Sequence, residues 1–324
     1  MSDIGRQLVD SLYAELMIDD EWAVRRDRGF TWWGYRLAQH VEASPTVHLG
    51  DQQRCVVRVW TEVAREVNPA SNPAAALAAV NRQQSMSAAV WDRPARRVNE
   101  CATTVVSTDT LDWHAQLLAT AAVLQNVSAH ANAPALAQAC GGTPALSNHP
   151  DAGERAEMDG VLGVPAQRVI PAGAGGSRYT GPLVEGLGGY AAKLGFRATA
   201  DATGLVCEVP YPAQSGRDTA LLRISTTQAH PVLGHGALVV LRLPVAPGGI
   251  RVARLANELN AAEAHGESAV PLLGAWCPDV LATDGNGLAF TCFLPNLLAR
   301  TGLLEDQIGY QAARARFAQA QLSG

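Results

Sequence analysis

The sequence predicts an α+β protein of two tandem related domains, each an antiparallel sheet with flanking helices in the order α-β-β-β-α-β-β-α, arranged with pseudo-twofold symmetry. Three observations carry this. The stretch 251–321 reads as helix, hairpin and helix, with a helix over 251–264, strands over 272–279 and 288–295, and a last helix over 303–321. A second copy of that order lies at about 72–137. Between the copies, 141–177 loses regular pattern amid Pro, Gly, Asn and charge, and a connection of that length joins units more readily than it sits inside one. The expected division is a first unit over 1–140, a linker over 141–177 and a second unit over 178–324.

Each element has a local reason. Ile4, Leu8, Leu12 and Leu16 recur at steps of four, which puts them on one stripe of a docking helix over 3–17. The aromatic run 29–37 is β-prone, and 54–67 alternates: Cys55, Val57, Val59, Thr61 and Val63 share one face, while Arg58, Trp60, Glu62 and Ala64 share the other. Ser71-Asn72-Pro73 opens a helix running to about 84, because proline at the first helical position forfeits no hydrogen bond. Strands follow at 86–91 and 97–106, turned at Asp92-Arg93-Pro94-Ala95, and a helix from Leu111 stops before Cys140-Gly141-Gly142. The second unit opens with a helix over 181–194 that Gly195 ends, then a hairpin turned at Asp201-Ala202-Thr203-Gly204, and strands at 219–226 and 236–243. The last of these is apolar on both parities, as a strand covered on two sides would be.

Composition excludes some classes of function. With 324 residues, 48% hydrophobic and 17% charged, the chain has the make-up of a globular protein large enough for two cores. A net charge of −5 lacks the basic face a general nucleic-acid binder needs. The apolar runs are too short or interrupted to span a bilayer, and the charges within 1–20 break any signal-peptide core, so the expected location is cytoplasmic. The six cysteines are dispersed without a C-x-x-C pair and read as free thiols.

Setting Val80-Asn81 against Leu259-Asn260 and Leu111-Asp112 against Leu304-Glu305 brings Leu117 opposite Tyr310 and Leu124 opposite Phe317, with an insertion in the second copy within 264–284. Leu255-Ala256-Asn257-Glu258-Leu259-Asn260, the turn 284–287, Phe290-Thr291-Cys292-Phe293-Leu294 and Leu303-Leu304-Glu305 then follow in an order that resembles the type III secretion chaperone-like fold, including the YbjN family of bacterial regulators. That resemblance implies binding of other polypeptides and pairing as dimers, so that two copies in one chain form a pseudo-dimer. It brings no catalytic residue with it. The expectation is a non-enzymatic protein-binding, chaperone-like or regulatory module with a protein or peptide partner, either a monomeric pseudo-dimer or a homo-oligomer, with no cofactor or metal and no nucleic-acid or membrane partner. The alternative is a small-molecule binder or enzyme using the crevice between the units.

Candidate sites are few. Six of the seven tryptophans fall in the first unit, and the neighbours Trp32 and Trp33 point to opposite faces of a strand, so at least one needs other cover: first the other unit or a helix, and otherwise an outside partner, for which Trp32, Trp33 and Trp60 form the candidate surface. Gly173, Gly175, Gly176, Ser177 and Arg178 form a glycine-rich loop before a helix, where backbone donors can hold an anion, yet neither a dinucleotide fingerprint nor a phosphate loop is completed. It reads first as a hinge, and as a ligand loop only under the alternative. His230 and His235, with Cys207, hold zinc only if the fold converges them. Ser177 lacks the nucleophile elbow.

Overall fold

The computed structural model describes residues 3–83, 86–164, 175–213, 216–244, 249–282 and 287–323. The first half runs α1 (Ile4–Glu15), β1 (Ala23–Arg26), β2 (Gly29–Trp32), β3 (Gln39–Ala43), β4 (Val47–Leu49), β5 (Gln52–Arg65), α2 (Pro73–Asn81), β6 (Ala88–Asp92), β7 (Arg97–Ser107) and α3 (Leu111–Ala139). After β8 (Thr143–Pro144) and α4 (Gly160–Val164), the second half runs α5 (Pro182–Glu185), α6 (Leu187–Lys193), β9 (Arg197–Asp201), β10 (Gly204–Ala213), β11 (Gly216–Ser225), β12 (Gly236–Pro244), α7 (Gly249–Ala264), β13 (Ala275–Pro278), β14 (Gly287–Pro295) and α8 (Leu303–Ser323).

The class is α+β, with two antiparallel sheets of one topology. The first has the order β1-β2-β3-β5-β7-β6, with β4 and β8 added to β5, and the second has β9-β10-β11-β12-β14-β13. Each half therefore has four main strands before its middle helix, one more than the order α-β-β-β-α-β-β-α gives; in the second half these are the four strands read at the hairpin around 201–204, at 219–226 and at 236–243. The first half gains the short strands β1 and β3, whose local pattern is too brief to register. The correspondence drawn between the closing helices holds in phase. His114, Ala115, Leu118, Ala121, Ala122 and Gln125 of α3 are buried, and so at the matching turns are Gln307, Ile308, Gln311, Arg314, Ala315 and Ala318 of α8.

In the first half, α1 and α3 cover one face of the sheet. Asp3 caps α1 by accepting from the Gly5 and Arg6 amides at 2.9 and 3.3 Å, and the Ile4, Leu8 and Leu12 stripe packs against Phe30, Val57 and Val59. The helix α3 ends at Cys140, beyond which Gly141 takes φ +58°, as a glycine stop requires. In the second half α6 and α8 cover one face, and Gly186 splits the single helix expected over 181–194 into α5 and α6.

The connection is more than a spacer over its first part. Here β8 pairs with β5, Trp33 Nε1 donates to Ser147 Oγ at 3.2 Å, and Arg155 Nη1 donates to the Trp33 carbonyl at 2.8 Å. The His149 ring meets Trp33 edge-on, with centroids 4.9 Å apart. The apolar segment 167–170, expected as a short strand, lies outside the described residues.

Reciprocal contacts join the halves: α7 packs on β6 and β7 of the first half, α2 packs on β13 of the second, and the two helices touch. The edge strands are closed by asparagine. Asn81 Nδ2 donates to the Ala89 carbonyl at 2.9 Å and its Oδ1 accepts from the Ala89 amide at 2.8 Å, while Asn260 makes the same pair with Trp276 at 2.9 and 2.8 Å. Three residues earlier on the same helical face, Asn257 crosses between halves, accepting from the Trp91 amide at 2.8 Å and donating to its carbonyl at 3.2 Å. Its counterpart position holds Ala78, opposite Pro278, which has no amide hydrogen to satisfy. The Leu-Ala-Asn-Glu-Leu-Asn motif is thus an edge-capping device that keeps buried backbone groups paired and the edges shut.

Candidate binding site on the open face of the second sheet

The face of the second sheet turned away from α6 and α8 carries Arg197, Glu208, Leu221, Arg242 and Ala289 in one cross-strand row. The next row holds Thr199, Val206, Arg223, Val240 and Thr291. Val206 and Leu221 are 42% and 39% exposed there, and Val280 and Leu281 at the rim are more so. Strand β12 is consequently covered fully on its helical side and only in part on the other: Leu238 is buried, whereas Val240 and Arg242 are half-buried.

Over this face a cavity of about 200 Å³ is lined by Arg82 from the first half and by Arg223, Arg242, Thr291, Cys277 and Asp279 from the second. Three arginines and, among the described residues, one acid line it, and Arg242 Nε lies 3.6 Å from Asp279 Oδ2. Burial pushes the Cys277 thiol up to about 12, so at neutral pH it is a protonated wall of the cavity and not a nucleophile.

The first sheet shows what the equivalent space looks like when filled. Counting across the ladders from the asparagine-bonded residues Ala89 and Trp276 sets Trp60 against Val240, His40 against Arg223, and Glu62 against Arg242. Trp60 stacks on His40 with centroids 5.1 Å apart and lies beneath the Arg58 guanidinium, while Glu62 pairs with Arg65 at 2.7 Å and Arg97 at 3.0 Å. Burial, with Arg26 adding to it, holds His40 down to about 4, so the ring stacks as a neutral imidazole. The longer loop after α7 closes more of this face: the Leu272 amide and carbonyl both bond Thr103, and Gly266 sits against Val56. The insertion expected within 264–284 thus contributes cover over the first half.

The site residues read from sequence lie elsewhere. Trp32 is buried at 0% exposure in the core under α1 and α3, and Trp33 is buried beneath the connection, so neither ring is offered to a partner. Of the three tryptophans only Trp60 is half-buried, on the face of the first sheet turned away from α1 and α3. Gly173 lies outside the described residues. Gly175, Gly176, Ser177 and Arg178 are a stitched loop and not an anion cradle: Ser177 Oγ donates to the Gly236 carbonyl at 2.8 Å, the Arg178 amide donates to Asn296 Oδ1 at 2.8 Å, and Asn296 Nδ2 donates to the Gly176 carbonyl at 3.0 Å. None of them lines the arginine cavity.

His230 is likewise occupied. Its Nε2 donates to the Gln83 carbonyl across the halves at 2.7 Å, and its Nδ1 accepts from the Val232 and Leu233 amides at 3.0 and 2.9 Å. Cys207 is buried on the opposite, helix-covered face of the sheet, and among the described residues no group of three or more metal-ligating side chains converges. His149-Pro150-Asp151-Ala152-Gly153 folds as the same turn as His230-Pro231-Val232-Leu233-Gly234, with the ring Nδ1 accepting from the second and third following amides and a bridge to the glycine. Both histidines are therefore turn-forming. Arg82, Arg223 and Arg242 went unread because they are far apart in sequence, and only the ladder registers and the packing of α2 bring them to one cavity.

No helix among the described residues is long and apolar enough to cross a membrane. Comparison with protein-family models, characterised proteins and solved structures finds no match to this chain.

Proposed function

We propose that this protein is a non-enzymatic, chaperone-like binding module that holds a polypeptide partner on the open face of the second sheet, with the first half as its structural complement. The observation that carries the reading is broken symmetry on one topology. Trp60 fills its face in the first half, while Val240 leaves the second hollow, with Val206 and Leu221 exposed beside it. Two halves of one topology in a single chain support the pseudo-dimer that the resemblance to type III secretion chaperones and YbjN proteins implies. A photo-crosslinking side chain at Leu221 is expected to yield adducts of polypeptide mass, and the same group at Arg58 on the first face is expected to yield none. Adducts from both positions alike, or turnover of a metabolite by protein that forms no adduct, would overturn the proposal.

The small-molecule alternative is favoured by a different groove between the halves, about 510 Å³ in volume and lined by Trp91, Arg93, Arg254, Asn257, Glu258 and His265. Its size falls within the range of ligand pockets. A nucleotide or other metabolite that raises the melting temperature of the wild-type protein but not of Trp91→Ala would support that reading.

A further inference from the structure

The arginine cavity narrows the chemistry of the partner. We infer that it receives a carboxylate side chain of an extended acidic segment, the neighbouring residues of that segment lying over Val206 and Leu221; this rests on the reading of the face as a polypeptide-binding surface.

Size argues for a side chain and against a free ligand. At about 200 Å³ the cavity is smaller than the ~300–1,000 Å³ typical of pockets that enclose whole small molecules. It opens onto a sheet face with exposed apolar side chains, so a group that enters the cavity has surface beside it for the chain to which it belongs.

Charge sets the sign. Arg82 and Arg223 are exposed, Arg242 is half-buried, and among the described residues Asp279 is the one carboxylate lining the cavity. Asp279 stands 3.6 Å from Arg242, a loose pairing that leaves guanidinium donors free to take a second carboxylate in a forked geometry. The first half carries the converse arrangement, where Glu62 already occupies Arg65 and Arg97.

Spacing also fits. Residues of an extended segment alternate in direction, so one carboxylate pointing down toward Arg223 and Arg242 leaves apolar neighbours two positions away to cover Val206 or Leu221. An acidic side chain flanked at that interval by aliphatic ones matches the surface on both counts.

The test uses the full chain and fluorescein-labelled ten-residue peptides of the repeat Val-Ser-Glu-Ser, which sets Val and Glu at every second position on one face (Val-Glu), with Gln (Val-Gln) or Lys (Val-Lys) in place of Glu as controls, followed by anisotropy, with free glutarate as a competitor. The expected result is preferential binding of Val-Glu, weakened by about tenfold or more in Arg82→Glu/Arg223→Glu. Added salt is expected to weaken it too, and millimolar glutarate to displace it poorly. Because both substituted side chains are exposed, circular dichroism should match wild type, and the charge-reversed protein should now prefer Val-Lys. Val240→Trp, which transplants the first half's plug, should abolish Val-Glu binding. Equal binding of Val-Gln and Val-Glu would overturn the acidic assignment and leave the polypeptide reading standing. Failure of every peptide to bind at this face would overturn both, and glutarate competing at the peptide's own affinity would recast the cavity as a free-anion site.

Discussion

Arg314 of α8 is 1% exposed and Glu263 of α7 is fully buried, so this ion pair sits in the core of the second half. Arg314 Nε donates to both Glu263 oxygens at 3.1 and 3.0 Å, Nη1 donates to Gln311 Oε1 at 2.9 Å, Nη2 donates to the Pro271 carbonyl, and the guanidinium lies 3.6 Å from the Phe290 ring centroid. Trp276 Nε1 donates to the same carboxylate at 2.8 Å. Arg314→Met keeps much of the apolar stem but leaves Glu263 with one remaining donor in a dry site. Removing one partner of a buried pair costs about 3–5 kcal/mol, most of it the penalty of the stranded charge. Pairing it with Glu263→Gln removes the charge, so the double variant should be more stable than Arg314→Met alone, with non-additivity of at least ~1 kcal/mol. Denaturant unfolding checks this, read by circular dichroism and by the fluorescence of Trp276, the sole tryptophan of 178–324 if the other six are replaced by phenylalanine in a common background. A cost below ~1 kcal/mol for Arg314→Met, or strict additivity in the double variant, would refute the reasoning.

Two further predictions follow from buried polar groups. Asn257→Ala should cost about 1–3 kcal/mol by stranding the Trp91 amide and carbonyl, and should speed hydrogen exchange at Trp91, whereas Ala78→Asn should gain nothing opposite Pro278; equal exchange at Trp91 in wild type and Asn257→Ala would count against the edge-capping role. Glu100 is 1% exposed, and burial raises its carboxyl to about 7, against the lowering effect of bonds from Ser87 and Ser128. The folded state therefore holds a proton that the unfolded state has released, so stability is full below about 4.5, falls as pH rises toward 7, and is lower by on the order of 3 kcal/mol above that. Glu100→Gln keeps the acceptor for Ser87 and should flatten that part of the pH–stability curve; superimposable curves for the two proteins would exclude the effect.

Periodicity reads well where one face meets a continuous core, as in the α1 stripe, the alternation of β5 and the full length of α3 up to Gly141. It also carried the repeat, because Asn81 and Asn260, paired by position alone, prove to make the same two bonds. Short strands such as β1 and β3 gave too few residues for a period. The tryptophans were legible only in part: opposite-facing Trp32 and Trp33 do need separate cover and find it within the chain, but the connection covers Trp33 through Ser147, His149 and Arg155, contacts that no local pattern encodes. The arginine cavity depends on three strand registers and a helix from the other half, so its residues look like scattered surface charges until the sheets are assembled.

The exchange of an indole at Trp60 for an isopropyl group at Val240 has a consequence for stoichiometry. Two identical subunits around a true dyad must offer either two vacant seats or none, and twin seats allow bivalent capture and cooperativity. Joining the halves covalently releases them from that obligation. One seat can be blocked for good while its twin stays vacant, and on the proposed reading the molecule then takes a single guest with a plain hyperbolic isotherm.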